Sequence, residues 1–228
     1  MDTPQEKCDA VIVAAGSGTR LGFSVPKAFI QLCGRPLLTW SLDVFRKHAS
    51  IASIVLVVPE NLLEEAETAW SGDGVLVVAG GHERWMSVRN GVSACRSKWL
   101  LVHDAARPFV TGEIIDSLLA LRGTYSCAIT VTPVVDTIRT FEDDRAGDTV
   151  DRSKLVRVGT PQLFIRDALE KGFAFAVTCA DPPTDEAILM QALNIPVGIA
   201  WGNPDNFKIT TREDLEVAEA LCAHREHM

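Results

Sequence analysis

Glycines and two cations follow an apolar run close to the amino terminus. Residues 14–27 read AAGSGTRLGFSVPK. Glycines placed after a buried strand let backbone N–H groups approach phosphate oxygens and bind them. Arg20 and Lys27 add two positive charges, which suit a reaction in which negative charge builds on transferring phosphoryl oxygens. The segment therefore predicts a phosphate-binding loop in which Arg20 and Lys27 take part in phosphoryl chemistry.

This loop differs from two common nucleotide-binding loops. A P-loop ends in Gly-Lys-Ser or Gly-Lys-Thr, and the chain lacks both tripeptides. A dinucleotide fingerprint needs a third glycine at position 21, where the chain has Leu21. It also needs an acidic residue about 20 positions further on, and Glu60 lies far beyond that spacing. The pattern therefore disfavours an NAD site.

Short β-branched runs alternate with longer amphipathic segments. Strands buried on both faces are predicted at 10–15, 54–58, 75–79, 99–103, 127–131 and 197–201. Helices are predicted at 36–50, 61–70, 84–94, 111–122, 165–177 and 185–194, and a last helix opens at Thr211 with Asp214 three residues on, as in a capping box. This order predicts an α/β fold with a Rossmann-like, mainly parallel, doubly wound sheet and helices on both faces.

The alternation stops at about residues 133–158, which are polar and only weakly periodic. We expect an extended β-hairpin arm there, because the segment is too polar for a core. Composition alone favours a plain solvated hairpin. The chain has no internal repeat and no linker-like tract, so residues 1–228 are expected to form a single domain that carries this arm.

The charge and cysteine content exclude several classes of protein. Thirty acidic and 22 basic residues give a net charge of −8, which disfavours nucleic acid and anionic membranes as partners. No apolar run approaches the length that crosses a bilayer, so a cytoplasmic location is expected. The six cysteines are scattered, which fits neither a zinc site nor a disulfide framework, and we expect them to be small buried residues.

Residues 14–27 resemble the signature loop of the nucleotidyltransferases that activate sugar and polyol phosphates. Further motifs narrow the resemblance: GGHERWMSV at 80–88, HDAARP at 103–108, DT at 136–137, VDR at 150–152, TPQ at 160–162, TDEA at 184–187 and NFKIT at 206–210. In this order along most of the chain they are similar to the 2-C-methyl-D-erythritol 4-phosphate cytidylyltransferase family of isoprenoid biosynthesis.

The resemblance implies transfer of the cytidylyl group of CTP to methylerythritol phosphate, with release of pyrophosphate. An alternative is a cytidylyltransferase for ribitol 5-phosphate or a related pentitol phosphate, because acceptor choice between similar polyols depends on few contacts. A third hypothesis is a non-catalytic nucleotide-binding module on the same fold. The presence of both Arg20 and Lys27 argues against the third.

The resemblance also assigns roles to individual residues. The implied catalytic residues are Arg20, Lys27, Arg152 and Lys208. The implied nucleotide-binding residues are Ala14, Ala15, Gly16, Ser17, Gly18, Gly81, His82, Ser87 and Asp104. The implied substrate-binding residues are Arg107, Thr137, Arg152, Thr160, Thr184 and Lys208. His82 departs from the family pattern, so a contact to the base there is expected through the backbone.

The same resemblance implies a cofactor and a partner. Mg²⁺ would be held mainly by the CTP phosphates in the neighbourhood of Asp104, with no direct protein ligand. The arm would cross a two-fold axis in a homodimer, placing Thr137 and Arg152 of one subunit at the acceptor bound by the other. Independently of the family, we expect His103 to be a packed, hydrogen-bonded histidine, and Thr184-Asp185 to cap a helix.

Overall fold

Alternating strands and helices account for most of the chain. The structure is a computed structural model that describes residues 6–16, 26–178, 183 and 185–226. Its strands are β1 (Cys8–Val13), β2 (Gln31–Leu32), β3 (Arg35–Pro36), β4 (Ile51–Val58), β5 (Val75–Ala79), β6 (Trp99–Asp104), β7 (Cys127–Pro133), β8 (Ile138–Glu142), β9 (Arg145–Val150), β10 (Val156–Ile165) and β11 (Val197–Trp201). Its α-helices are α1 (Leu37–Lys47), α2 (Leu63–Trp70), α3 (Arg84–Ala94), α4 (Gly112–Leu119), α5 (Arg166–Ala176), α6 (Ala187–Ala192) and α7 (Arg212–Glu226).

Seven strands form the main sheet in the order β11-β7-β10-β6-β1-β4-β5. Strand β1 lies in its interior and pairs in parallel with β4 and β6. The pairs β4–β5 and β11–β7 are parallel as well, whereas β10 runs antiparallel to both β6 and β7. The predicted α/β fold with a mainly parallel sheet is therefore confirmed.

Both faces of this sheet are buried, because neighbouring side chains on a strand point to opposite sides. On β4, Leu56 belongs to a buried cluster that includes Phe45 of α1. Val55 and Val57 belong to a second cluster, which includes Val88 of α3. Fully burying a side chain of this size contributes about 1.5–3 kcal/mol. The continuous apolar runs in the sequence thus produce a sheet with helices on both faces, as predicted.

Strand β10 was not predicted. Its middle residues, 159–162, read GTPQ, and its pairing with β7 shifts register between Gly159 and Gln162. A glycine, a proline and polar neighbours do not produce the alternation that indicates a strand. The hairpin arm is correspondingly shorter than its predicted bounds: β8 and β9 form a separate two-stranded antiparallel sheet, whereas β7 and β10 at either side belong to the main sheet.

Two predicted helix caps are present. The backbone N–H of Thr211 donates to Asp214 at 2.9 Å, and the N–H of Asp214 donates to the Thr211 hydroxyl at 3.3 Å, which is the reciprocal capping box. Asp185 accepts from the N–H of Ile188 at 3.1 Å at the start of α6. Within the described part of the chain, no helix has the length and apolar character needed to cross a membrane.

The expectation for the cysteines needs one correction. Four of the five described cysteines are buried, at positions 8, 95, 127 and 222. Cys33 is exposed, because it lies in the tight turn between β2 and β3 with a positive φ of 49°, next to Gly34. The turn directs this side chain away from the core.

Asp9 is a buried carboxylate that joins three segments at the amino-terminal side of the sheet. It is 2% exposed on β1. Its Oδ1 accepts from the hydroxyls of Ser53 at 2.7 Å and Ser97 at 2.9 Å, and its Oδ2 accepts from the backbone N–H groups of Arg96 at 2.7 Å and Ser97 at 2.8 Å. Burial opposes ionisation of Asp9, but these hydrogen bonds outweigh burial and lower its pKa.

Asp9→Ala should lower the free energy of unfolding by about 2–3 kcal/mol at neutral pH, because the donors lose their shared acceptor. The pKa of Asp9 is lowered in the folded state, so its contribution is present above the unfolded pKa and is lost as the pH falls through the folded pKa. Urea unfolding at a series of pH values checks this. Asp148→Ala, on the exposed arm, is the control, and equal losses for the two variants would contradict the prediction.

Candidate active site

A cleft of about 350 Å³ opens where the parallel strands β1, β5 and β6 end. Ligands bind at this carboxyl-terminal edge in open α/β sheets. The cleft brings together most of the predicted nucleotide-binding residues and two of the predicted catalytic lysines. The predicted residues that line it are Ala14, Ala15, Gly16, Lys27, Gly81, His82, Ser87, Asp104 and Lys208.

Other predicted residues lie elsewhere. Arg107 lines a neighbouring cleft of about 270 Å³, which shares Lys208 and Thr210 with the first. Thr137 and Arg152 are exposed, and the Arg152 guanidinium donates to the carbonyl oxygen of Val135 in its own chain. Four predicted residues lie outside the described residues: Ser17, Gly18, Arg20 and Thr184.

The loop between β5 and α3 is tightly packed against its neighbours. A Cβ on Gly81 would lie 2.5 Å from Cβ of Met86, and one on Gly80 would lie 2.5 Å from Cβ of Ala15. The Gly81 N–H donates to the Ser87 hydroxyl at 3.0 Å, and that hydroxyl lies 3.2 Å from the carbonyl oxygen of Glu83. Glycine at 80 lets the loop lie close to Ala15, which follows β1, and glycine at 81 lets it lie close to Met86 of α3. Ser87, which is 2% exposed, holds the loop in shape.

Asp104, the last residue of β6, lies between two cations. Its Oδ1 accepts from Nε of Arg84 at 3.0 Å and lies 3.0 Å from Nη2 of the same guanidinium. Its Oδ2 accepts from Nζ of Lys208 at 2.7 Å. Burial opposes ionisation of this carboxyl, but the charges of Arg84 and Lys208 outweigh burial and hold its pKa well below the usual range. Asp104 is therefore an ionised carboxylate whose orientation is set from both sides.

Arg84 extends this network to a buried carboxylate. Its Nη1 lies 2.8 Å from both oxygens of Glu186, whose side chain is fully buried. Burial opposes the charge on Arg84, but Asp104 and Glu186 outweigh it and raise its pKa. Sequence reasoning assigned no role to Arg84 or Glu186. The available signal was the presence of charged residues inside the GGHERWMSV and TDEA motifs.

His103 is fully buried beside Asp104. Its Nε2 lies 3.1 Å from the carbonyl oxygen of Arg107, and its Nδ1 lies 3.2 Å from the hydroxyl of Thr160. A carbonyl oxygen can only accept, so Nε2 carries the proton and Nδ1 accepts from Thr160. Burial lowers the pKa of His103 to about 4, so the ring is neutral at neutral pH. The expectation of a packed, hydrogen-bonded histidine is confirmed.

Thr160 links this histidine to the site. Its hydroxyl accepts from the backbone N–H of Asp104 at 3.0 Å while it donates to His103. Arg107 is held from the other side, because its Nη1 donates to the carbonyl oxygen of Asn206 at 3.0 Å. Burial lowers the pKa of Arg107. These contacts fix the backbone at the end of β6, from which Asp104 projects into the cleft.

The described residues contain no group of three or more histidine, cysteine, aspartate or glutamate side chains placed to hold a metal ion. In the cleft, both oxygens of Asp104 already accept from cations. A carboxylate in this position retains lone pairs for metal-bound water but is poorly placed to bind an ion directly. The residues therefore fit a divalent cation that a nucleotide brings with it.

A parallel sheet with a glycine-containing loop after β1 and lysines at the rim of the cleft is typical of nucleotidyltransferases. The family described as 2-C-methyl-D-erythritol 4-phosphate cytidylyltransferase matches residues 8–224 of the chain. The chain therefore belongs to this family of cytidylyltransferases.

Relatives and solved structures with that name match the chain over nearly its whole length. A relative from Rhodococcus jostii is 40% identical over 221 residues, covering 96% of both chains. One from Bacteroides thetaiotaomicron is 36% identical over 223 residues, covering 94% of this chain and 99% of the relative. The crystal structure from Thermus thermophilus has a TM-score of 0.82 and 34% identity, covering 95% of this chain and 99% of that one. These findings confirm the resemblance and do not favour the ribitol phosphate alternative.

Gly81→Ala should raise the KM for CTP by about tenfold, which corresponds to ~1.4 kcal/mol. The added methyl group meets Met86, so the loop must move away from α3. Gly112→Ala is the matched control, since its Cβ would meet only a side-chain atom of His48 at 3.7 Å. Steady-state kinetics at saturating acceptor check this, and a KM that stays within twofold of the wild-type value would show that the loop does not contact CTP.

Proposed function

We propose that the larger cleft binds CTP for the family reaction, in which the cytidylyl group passes to 2-C-methyl-D-erythritol 4-phosphate and pyrophosphate leaves. The observation that carries the proposal is that one cleft joins the backbone at 14–16, the Gly81–Ser87 loop, Lys27 and the Asp104–Lys208 pair. The backbone at 14–16 and Lys27 suit a triphosphate, the Gly81–Ser87 segment suits a base, and the Asp104–Lys208 pair suits an acceptor phosphate.

The base lies against the loop between β5 and α3 in this proposal. Cytosine presents an amino donor and two acceptors on its edge. The carbonyl oxygen of Gly81 and the remaining lone pair of Ser87 accept from the amino group, and the backbone of His82 meets the acceptors. A backbone contact does not depend on the side chain at position 82, so the exposed imidazole of His82 is compatible with cytosine.

The triphosphate lies along Ala14, Ala15 and Gly16 and continues over Ser17 and Gly18. Lys27 and Arg20 neutralise the charge that develops on the transferring phosphoryl group. A Mg²⁺ ion held by the triphosphate would supply further charge neutralisation, and Asp104 is the residue that would contact its waters. A cytoplasmic location belongs to the same proposal, because CTP is an intracellular metabolite.

The reaction needs no general base. The acceptor phosphate is already anionic, so its oxygen attacks the α-phosphorus in line while the bond to the pyrophosphate oxygen breaks. The neutral, buried His103 is consistent with this chemistry, since both of its ring nitrogens are engaged in structural hydrogen bonds. Catalysis then depends on positioning and on charge neutralisation.

The acceptor lies on the Lys208 side of the cleft. Lys208 and Arg152 hold its phosphate, and Thr184 and Arg107 contact the polyol. Lys208 is supported by Asp104, which keeps the ammonium group at the boundary between the two clefts. A direct contact between Thr160 and the polyol phosphate stays a prediction. In this structure the Thr160 hydroxyl is hydrogen-bonded to the backbone N–H of Asp104 and to the imidazole of His103.

The arm completes the site of a partner subunit in a homodimer. Val135, Ile138 and Phe141 on the arm are exposed, at 69%, 37% and 83% respectively. Apolar side chains on a projecting hairpin favour a protein surface as the partner of the arm. An arm exchanged across a two-fold axis would bury these side chains and would bring Thr137 and Arg152 to the acceptor of the other subunit.

Pyrophosphate release tests the proposed reaction. With CTP and Mg²⁺, turnover with 2-C-methyl-D-erythritol 4-phosphate should exceed turnover with ribitol 5-phosphate by at least ~100-fold, since a site built for one acceptor leaves polar groups unpaired with another. Comparable turnover with both acceptors would contradict the assignment. Binding of CTP without turnover on either acceptor would indicate a non-catalytic module.

Lys27→Ala should lower kcat by about 10²–10³-fold and change the KM for CTP by less than ~5-fold, because Lys27 acts on charge that appears in the transition state. The control is Lys98→Ala, an exposed lysine that pairs with Glu6 at 3.9 Å outside the cleft. Steady-state kinetics separate the two constants. A rise in KM with an unchanged kcat would assign Lys27 to ground-state binding.

Mixing two inactive variants tests the arm exchange. Lys27→Ala and Arg152→Ala should each be inactive alone. If Arg152 acts on the partner's site, a hybrid dimer has one site with both residues intact. Random exchange then restores about a quarter of the wild-type sites. Recovery is measured as pyrophosphate release after the subunits exchange, and a mixture that stays inactive would place Arg152 in its own subunit's site.

A further inference from the structure

The buried pair of Arg84 and Glu186 joins α3, at the cleft, to the segment that precedes α6. Arg84 is the first residue of α3 and follows the loop that we assign to the base. Glu186 directly precedes α6 and follows Thr184, which we assign to the acceptor. The two residues are 102 positions apart in the chain, so their contact is purely tertiary. It fastens the acceptor-side segment to the nucleotide-side helix.

The geometry of this pair constrains Asp104. Because Nη1 of Arg84 contacts both oxygens of Glu186, the guanidinium plane cannot turn freely. Nε and Nη2 therefore both meet Oδ1 of Asp104, and Oδ2 is left to Lys208. Each carboxylate oxygen of Asp104 has its own cation.

Without the charge of Glu186, the preferred geometry of the site changes. An arginine that has a single carboxylate partner favours a bidentate arrangement, in which the guanidinium contacts both oxygens of that carboxylate. Arg84 would then compete with Lys208 for Oδ2 of Asp104. The carboxylate would turn, and the Lys208 ammonium group would lose the contact that holds it between the two clefts.

Because Glu186 is buried, its negative charge depends on the positive charge of Arg84 for stabilisation. The side chain of Glu186 is fully buried, whereas that of Arg84 is 26% exposed in the cleft. Burial raises the pKa of Glu186, and the charge of Arg84 opposes this rise. A buried carboxylate kept beside a cleft is costly for folding alone, since an apolar residue would fill the space at less cost.

We propose that Arg84 and Glu186 are positioning residues for the transfer reaction, which hold Asp104 and through it Lys208 in the orientation that CTP and the acceptor require. The inference rests on the proposed function of the cleft. It extends that function to two residues to which sequence reasoning assigned no role.

A double-mutant cycle tests the inference with the full-length chain. Glu186→Gln keeps the volume of the side chain and removes its charge. We expect it to raise the dissociation constant for CTP with Mg²⁺ and to lower kcat/KM for the acceptor, each by about tenfold. In an Asp104→Asn background the same change should alter both quantities by less than about twofold, because the group that the pair positions is already gone.

Glu170→Gln is the matched control, since Glu170 pairs with Arg166 at 3.8 Å on an exposed face outside the cleft. Equal effects of Glu186→Gln in both backgrounds would overturn the inference and leave the pair as a structural anchor for α6. A wild-type affinity and kcat/KM in Glu186→Gln would overturn it as well. If Glu186→Gln does not fold, Glu186→Asp runs the same cycle under the same criteria, because its shorter side chain withdraws the carboxylate from Nη1 of Arg84.

The two proposals fail in different ways. Calorimetric titration with CTP and Mg²⁺ measures the dissociation constant of each protein in the double-mutant cycle, and it does not require turnover. A wild-type protein that binds CTP but releases no pyrophosphate would refute the proposed function, and the binding cycle would still decide the role of Arg84 and Glu186.

Discussion

Asp104 carries a negative charge at the end of a buried strand, where its side chain is only 10% exposed. An ionised carboxylate in such a place is strongly unfavourable unless cations and hydrogen-bond donors surround it. Arg84 and Lys208 supply the cations, and each comes from a different part of the chain. The start of α3 and the segment before α7 must therefore meet at β6. Most of the cleft follows from this one requirement.

The order of strands in the sheet makes that meeting possible. β1 and β6 are adjacent and parallel, so the phosphate-binding residues after β1 and Asp104 at the end of β6 emerge at the same edge. β10 enters antiparallel on the other side of β6 and brings Thr160 beside His103. The hydroxyl of Thr160 then meets the backbone of Asp104 itself. Thr160, one of the residues that obscure β10 in the sequence pattern, thus also supports the site.

Much of the fold follows from periodicity in the sequence. The bounds of β5, β11 and α3 agree with prediction, because apolar alternation and helical spacing there are regular. Strand β10 was missed because its residues 159–162 serve a tertiary role that local propensity does not reveal. The exposure of Cys33 was missed for a similar reason, since the turn that contains it depends on two left-handed residues.

The site was predictable in part. The residues Gly16, Gly81, Lys27, Asp104 and Lys208 could be named from motifs, and the structure places them around one cleft. The partners of Asp104 could not be assigned, because Lys208 lies 104 positions away in the chain. The contact between Arg84 and Glu186 spans 102 positions and likewise leaves no local pattern. Arg107 could be singled out by its motif, but nothing in the sequence indicates that it lines the second cleft.

The most direct test of the proposed site is a crystal structure of the protein with CTP and Mg²⁺. We expect a triphosphate along residues 14–16 with Lys27 at its phosphates, cytosine against the Gly81–Ser87 segment, and Asp104 still held between Arg84 and Lys208. A nucleotide seated instead in the neighbouring cleft, against Arg107 and Asn206, would contradict it.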